Sequence, residues 1–160
     1  MVKETVNFAV NGKSVSLEVD PGDMLIDVLR MRLGLTGTKA GCREGECGVC
    51  SIIMNGALVT ACIIPIKKAE GSTILTIEGL EANGEFHSVQ KHFIENGAIQ
   101  CGFCTPAMVL AGKALLDRNS SPTRAEIQLA ISGILCRCTG YQNIIKAIDS
   151  ASKLEKRGKV

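Results

Sequence analysis

Aromatic side chains are rare in this sequence, which has no tryptophan, one tyrosine and four phenylalanines among 160 residues. Platforms on which bases could stack are therefore scarce, and this argues against binding of single-stranded nucleic acid. An excess of one charge is also absent, because 18 basic and 16 acidic residues leave a net charge of +2. Nucleic-acid-binding domains carry a strongly basic face, so we expect no nucleic-acid partner.

A long hydrophobic run is missing as well. The most apolar stretch, residues 107–116, is interrupted by Lys113, and it is much shorter than the roughly 20 residues that a membrane span needs. The first residues include neither an apolar signal region nor a twin arginine. We therefore expect an intracellular, cytoplasmic protein with no membrane span.

Cysteine, in contrast, is abundant, with eight residues in the chain. A reducing compartment disfavours disulfides, so metal binding is the expected use of these thiols. An apolar content of 46% with 21% charged residues is typical of a folded globular chain. The mean hydropathy of +0.21 is high for a small chain without an apolar span. It indicates apolar surface that a partner covers, and it favours a subunit of a complex.

The first half of the chain has the pattern of a small sheet with one helix. Alternating polar and apolar residues around two Asn-Gly pairs are the strongest short-range hairpin signal. The pattern predicts, in chain order, a hairpin over residues 5–19 turning at Asn11-Gly12, an amphipathic helix over residues 24–33, a hairpin over residues 51–62 turning at Asn55-Gly56, and a strand over residues 73–77.

The second half has helical periodicity throughout. Thr105 is predicted as an N-cap with Pro106 at the first helical position, and Thr123 with Glu126 forms a capping box. The predicted helices cover residues 89–95, 105–118, 123–133 and a last segment around 144–151 that leads into a basic tail at 153–159. We therefore expect a sheet-plus-helix domain at residues 1–78 and a four-helix domain at residues 85–160.

The first four cysteines, Cys42, Cys47, Cys50 and Cys62, have the spacing C-x4-C-x2-C-x11-C. The start of this pattern is the plant-type [2Fe–2S] spacing, in which three thiolates come from one loop and a fourth from elsewhere. Three glycines in the loop, at 41, 45 and 48, are expected to let the backbone turn with positive φ and to bring backbone N–H groups close to the sulfurs. Structural zinc and a set of buried free cysteines are the alternatives, although zinc sites favour C-x2-C pairs.

The last four cysteines, Cys101, Cys104, Cys136 and Cys138, have the spacing C-x2-C-x31-C-x-C. This pattern alone suits zinc and iron–sulfur equally well. Cys104 precedes a predicted helix start, where the helix dipole favours the negative charge of a thiolate-bound cluster. Beside a ferredoxin-like loop, a second one-electron centre would make a relay, which favours the cluster.

Four segments of the sequence carry a resemblance to a known family. They are residues 34–39 (GLTGTK), 41–50 (GCREGECGVC), 100–106 (QCGFCTP) and 135–141 (LCRCTGY). They closely resemble the small iron–sulfur subunit of the molybdenum hydroxylases, the family of xanthine oxidase and xanthine dehydrogenase. The likeness covers nearly the whole chain and matches all eight cysteines, but not the basic tail.

The resemblance implies an α+β fold, in which a plant-type ferredoxin-like (β-grasp) domain precedes a four-helix [2Fe–2S] domain. It implies two [2Fe–2S] clusters, held by Cys42, Cys47, Cys50 and Cys62 and by Cys101, Cys104, Cys136 and Cys138. Electrons would leave a molybdopterin centre, pass the helical-domain cluster and then the ferredoxin-domain cluster, and reach FAD. Gln100 and Cys138 would lie against the pterin.

The implied function is therefore that of an electron-transfer subunit of a molybdenum-dependent oxidoreductase, with no complete active site of its own. A large molybdopterin-binding subunit and a medium FAD-binding subunit would be its partners. The substrate would be a purine, an N-heterocycle, an aldehyde or a similar small molecule. A zinc-binding structural or interaction protein and a free-standing ferredoxin are the alternatives, and visible absorption would separate the first of these from an iron–sulfur protein.

Other polar residues have simpler interpretations. Glu44 and Glu46 could be paired acid–base carboxylates, but beside a cluster loop we expect them to face solvent or a partner. His87 and His92 have no nucleophile or acid nearby in sequence, so we expect structural roles. Arg137, between two cysteines, is predicted either to contact a cofactor or partner or to form a structural salt bridge.

Overall fold

The computed structural model describes residues 3–81 and 83–157 of the chain. The main elements, in chain order, are β1 (Glu4–Val10), β2 (Lys13–Val19), α1 (Leu25–Asp27), β3 (Ser51–Met54), β4 (Ala57–Thr60), β5 (Thr73–Leu75), α2 (Ser88–Glu95), α3 (Thr105–Arg118), α4 (Arg124–Ile131) and α5 (Gln142–Arg157). A π-helical turn (Val28–Arg32) continues α1, and three 3-10 turns cover Ala61–Ile63, Ile66–Ala69 and Ile77–Gly79.

The strands form one mixed sheet in the order β2-β1-β5-β3-β4. Strands β1 and β5 pair in parallel, and the other neighbours pair antiparallel. Both Asn-Gly turns have positive φ at both central residues, as a type I′ turn requires, so both predicted hairpins are confirmed. Leu25 and Ile26 of α1 are fully buried in the core beneath the sheet. This is the predicted ferredoxin-like (β-grasp) arrangement.

Of the four later helices, α3 is central: it contacts α2, α4 and α5 and also touches strands β3 and β4. Leu110 and Ala114 of α3 pack against Ile53 of β3, so the helices and the sheet share buried surface. The predicted capping box of α4 is present, with Thr123 and Glu126 satisfying each other's backbone N–H groups. In the part of the chain that the structure describes, no helix is both long and apolar enough to cross a membrane.

Several predicted boundaries were wrong. Thr105 lies inside α3 rather than capping it, because Cys104 is the N-cap and offers no side-chain cap. The second hairpin ends before Cys62, which lies in a 3-10 turn. Strand β5 stops before Ile77 because the N–H of Thr76 donates to the side chain of Asn11, 2.9 Å away, instead of to the sheet.

Two helical segments also differ from their predictions. The helix expected over residues 24–33 is α1 plus a wider π-helical turn, in which the N–H of Leu33 donates to the carbonyl of Val28 at 3.1 Å. Helix α5 extends to Arg157 and so takes in most of the predicted basic tail. The end of that predicted tail, residues 158–159, lies outside the described residues.

Candidate metal centres

The loop between α1 and β3 brings Cys42 and Cys47 together. The N–H of Cys42 lies 3.4 Å from the sulfur of Cys47, and the N–H of Cys47 lies 3.4 Å from the sulfur of Cys42. The N–H of Glu44 also donates to the Cys42 sulfur at 3.4 Å. These donors, with that of Glu44 foremost, lower the pKa of the Cys42 thiol to about 7.

Cys50 and Cys62 form a second thiol pair at this site, and both are buried. Their thiols interact with each other, and burial raises the pKa of the Cys50 thiol to about 11. Cys50 lies just before β3, and Cys62 lies in the 3-10 turn just after β4. The β3–β4 hairpin therefore brings the fourth cysteine back to the loop.

The loop curls around its sulfurs through positive φ angles at Arg43 (63°), Gly45 (84°) and Gly48 (65°). Two of the three glycines thus have the predicted role. Gly41 does not: a Cβ there would lie 2.7 Å from the Cys47 sulfur, so this glycine is required for close packing. Arg43 supplies the third positive φ, and its guanidinium is held by a bidentate salt bridge to Asp27.

The helical domain brings its four cysteines together from two segments. Cys101 and Cys104 precede and cap α3, and Cys136 and Cys138 lie between α4 and α5, as predicted. The thiols interact in two pairs, Cys101 with Cys138 and Cys104 with Cys136. Cys104 is buried, whereas Cys101 and Cys138 are exposed.

The thiols of this site also differ in acidity. Burial raises the pKa of Cys104 to about 12. Burial also raises the pKa of Cys136, but hydrogen bonds from the Thr139 hydroxyl and N–H outweigh it and bring the value to about 7. The N–H of Phe103 lowers the pKa of Cys101. The pKa of Cys138 is raised, chiefly by its interaction with Cys101. The helical site therefore combines two thiols of lowered pKa with two of raised pKa.

The two sites lie next to each other. Cys42 and Cys47 line the same cavity of about 260 Å³ as all four cysteines of the helical domain. The N–H of Leu135 donates to the carbonyl of Cys47 at 2.9 Å. Gly48 is packed against the same segment, since a Cβ on it would lie 2.0 Å from the carbonyl oxygen of Gly133.

Both sets of thiols fit a [2Fe–2S] cluster, which takes four cysteine ligands as two on each iron. Each site offers two thiol pairs, with backbone or hydroxyl donors directed at the sulfurs. Among the described residues, no three His, Cys, Asp or Glu side chains come together as closely as a single metal ion requires. The fit to a two-iron group therefore rests on the pairs and their donors.

The other predicted residues have diverse surroundings. Gln100 is exposed, and its side chain makes no hydrogen bond within residues 3–81 and 83–157. Arg137 is exposed and lines the shared cavity, with no ion pair to another described residue, so the salt-bridge alternative finds no partner there. Glu44 and Glu46 are exposed, as expected.

Both histidines belong to α2. His92 is buried, with Nδ1 2.9 Å from the carbonyl oxygen of Ser88. His87 caps the helix, because its Nδ1 accepts the N–H of Val89. Their structural roles are as expected.

Sequence reasoning missed Thr139, Tyr141 and Leu135, which contact the cysteine loops directly. The side chain of Thr139 contacts the Cys136 sulfur, and the hydroxyl of Tyr141 accepts the N–H of Cys136. Thr139 and Tyr141 could have been noticed as hydrogen-bonding side chains within five residues of Cys136. Leu135 acts through its backbone, for which the sequence holds no signal.

Two family models match the chain. One, described as "2Fe-2S iron-sulfur cluster binding domain", matches residues 8–76, and the other, described as "[2Fe-2S] binding domain", matches residues 76–149. Each match includes four of the eight cysteines. The chain therefore has two [2Fe–2S]-binding domains.

Known proteins similar to this chain match more than nine-tenths of its length. The nicotinate dehydrogenase small FeS subunit of Eubacterium barkeri is 49% identical over 148 residues, which make up 92% of this chain and 94% of that subunit. A crystal structure of quinoline 2-oxidoreductase from Pseudomonas putida 86 matches with a TM-score of 0.93 and 40% identity, covering 99% of both chains. The aldehyde oxidoreductase of Desulfovibrio desulfuricans matches with a TM-score of 0.93 and 41% identity, over 96% of this chain but 17% of its own. The same fold thus occurs both as a separate chain and as a small part of a longer one.

Proposed function

The chain belongs to the family of small iron–sulfur subunits of the molybdenum hydroxylases, and we propose that it conducts electrons from a molybdopterin centre to FAD. The molybdopterin belongs to a large partner subunit and the FAD to a medium one. The reaction they serve is the oxidation or hydroxylation of a small substrate, such as a purine, an N-heterocycle or an aldehyde. Relatives named for nicotinate and quinoline support an N-heterocycle in particular.

The eight cysteines are the proposed cluster ligands, four in each domain, with the domains at residues 1–78 and 85–160. When bound, a [2Fe–2S] cluster supplies one-electron transfer. The chain's part is to supply thiolates and to stabilise their charge, which the N–H groups of Glu44 and Cys47 do at Cys42. The hydroxyl of Thr139 does the same at Cys136.

The observation that carries the proposal is the direct contact between the two sites. Cys47 and Cys136 are proposed ligands of different clusters, yet the carbonyl of Cys47 accepts the N–H of Leu135, the residue next to Cys136. A short route of covalent bonds and one hydrogen bond therefore joins the two sites. Two metal sites with purely structural roles have no need to be close, whereas an electron relay needs its two centres close together.

The helical site is the proposed entry point for electrons. Its two exposed cysteines, Cys101 and Cys138, leave one side of the site open to a partner. Gln100 is exposed beside them, and its amide can donate and accept hydrogen bonds at a polar cofactor edge without binding iron. Exposed Phe103 and Leu135, which line the same cavity, supply apolar surface for the large subunit to cover.

A Gln100→Ala variant of the assembled complex tests this proposal. We expect both clusters to assemble, and their reduction by dithionite to stay unchanged, because no proposed ligand is altered. Reduction of the clusters by substrate should slow, because the amide contact with the cofactor is lost. Rapid-mixing kinetics at visible wavelengths measures both rates.

The matched control is Gln128→Ala, which removes an exposed amide from α4, outside the cysteine segments. This variant should reduce at the wild-type rate with either donor. Substrate-driven cluster reduction that is as fast in Gln100→Ala as in Gln128→Ala would contradict the proposed cofactor contact. Co-purification with neither a molybdopterin nor a flavin subunit would contradict the wider proposal.

A further inference from the structure

The loop between α4 and α5 directs a hydroxyl at a cysteine sulfur. The Oγ1 of Thr139 lies 3.1 Å from the Sγ of Cys136, and the N–H of Thr139 donates to the same sulfur at 3.5 Å. Both donors come from one residue, three positions after the cysteine. Substituting Thr139 can therefore remove one of these donors without touching a cysteine.

The direction of the hydroxyl bond follows from the neighbouring contacts. The N–H of Tyr141 donates to the Oγ1 of Thr139 at 3.2 Å, which occupies a lone pair of that oxygen. A thiolate that binds iron has no proton to give, so the hydrogen between Oγ1 and Sγ must come from Thr139. The hydroxyl therefore accepts from Tyr141 and donates to Cys136.

Tyr141 keeps the Thr139 hydroxyl in place through its backbone N–H and links back to the start of the loop through its own hydroxyl. Its hydroxyl accepts the N–H of Cys136 at 2.9 Å and donates to the carbonyl of Ile134 at 3.3 Å. Its ring packs against the helical core, and its φ is 66°, a costly backbone conformation for a bulky residue. The contacts of Tyr141 thus maintain a strained backbone that aims the N–H at Thr139.

The ferredoxin-like site is built differently. The N–H groups that donate to Cys42 and Cys47 belong to the backbone of the loop itself. Backbone donors at that site remain after almost any substitution, whereas the hydroxyl donor at the helical site depends on one side chain. The two sites can therefore be perturbed separately.

We propose that Thr139 is a positioning residue that raises the reduction potential of the helical-domain cluster by donating a hydrogen bond to the Cys136 thiolate, with Tyr141 orienting its hydroxyl. The inference rests on the proposed function, in which Cys136 is a ligand. Reduction adds one electron at this site, and the Thr139 proton stays on its oxygen, so no covalent bond of the chain changes. A donor to sulfur stabilises the added negative charge, which makes reduction easier.

Thr139→Val in the full chain with both clusters tests the inference, because valine keeps the shape and lacks the hydroxyl. Redox titration followed by electron paramagnetic resonance measures the midpoint reduction potential of each cluster. The helical-domain signal is the one that persists in a Cys47→Ser variant. We expect its equilibrium constant for reduction to fall about tenfold, which is about 59 mV for a one-electron couple. The other midpoint should not move, and Thr139→Ser should restore the wild-type value.

Thr139→Ala removes the hydroxyl together with the γ-methyl group and adds no atom in their place, and it gives the same expectation if the valine variant loses its cluster. An unchanged helical-domain midpoint in either variant overturns the inference, and so does an equal shift at both clusters or a serine variant that behaves like valine. A wild-type chain that binds iron at the N-terminal site alone overturns the proposed function, and the inference with it.

Discussion

Gly48→Ala tests whether close contact between the two cysteine loops holds the molecule together. Gly48 has a φ of 65°, and a Cβ built on it would lie 2.0 Å from the carbonyl oxygen of Gly133 and 3.0 Å from the Cα of Ile134. These neighbours are backbone atoms, so no side chain can rotate away. The loops must separate to accommodate one methyl group.

Two costs add in this variant. A non-glycine residue in the left-handed region costs about 1–2 kcal/mol. Forcing a methyl group into well-packed surroundings costs about 1–3 kcal/mol more. We therefore expect the free energy of unfolding to fall by about 2–5 kcal/mol. This is a large part of the free energy of unfolding of a typical domain, about 5–15 kcal/mol.

Gly56→Ala is the matched control, because Gly56 has a φ of 81° but no atom within 4 Å of its would-be Cβ. Its free energy of unfolding should fall only by the cost of the left-handed backbone conformation, about 1–2 kcal/mol. Urea unfolding of the iron-loaded chain, followed by far-ultraviolet circular dichroism, measures both free energies of unfolding. Equal losses in the two variants would refute the close contact between Gly48 and Gly133.

The cysteine sites and the cap of α4 can each be tested separately. Cys47→Ser should abolish the plant-type cluster signal and leave the helical-domain signal, and loss of both signals in a still-folded chain would contradict two independent ligand sets. In the cluster-free chain at pH 7, iodoacetamide should modify Cys42 far faster than Cys50, because their pKa values are about 7 and about 11 and the thiolate is the reactive form. Mass spectrometry measures both modification rates, which should become equal in a urea-unfolded control. Equal rates in the folded chain would contradict these pKa values. The pKa of Glu126 is lowered from its usual 4.5 by the N–H of Thr123, so its stabilising contribution is present above pH 4.5 and is lost as the pH falls through the lower folded value. The difference in free energy of unfolding between wild type and Glu126→Gln should therefore shrink as the pH falls below 4.5. A difference that stays constant down to pH 3 would refute the stabilising role of the Glu126 carboxylate.

Much of the fold could be predicted because its signals are local. The two Asn-Gly turns and the Thr123 capping box each depend on a few adjacent residues, and each was found where it was predicted. Thr105 was misassigned because a threonine before a proline has the pattern of an N-cap, whereas the helix begins one residue earlier than that pattern indicates. The parallel pairing of β1 with β5 joins distant parts of the chain, and no local pattern specifies it.

The cysteine spacings predicted both candidate metal centres, but not how they meet. The hydrogen bond from Leu135 to Cys47 joins two backbones, and side-chain identity does not encode it. Gly48 was predicted to turn the loop, and its closeness to Gly133 gives it a second role that only the tertiary structure reveals. The roles of Thr139 and Tyr141 likewise depend on a loop conformation that the sequence pattern does not specify.

Two [2Fe–2S] clusters would give this chain a defined content of iron and sulfide. Iron, acid-labile sulfide and zinc can be measured on the chain purified anaerobically from its native host. We expect about four iron atoms and about four sulfides per chain, with two distinct paramagnetic signals after reduction. Stoichiometric zinc without sulfide would contradict this expectation.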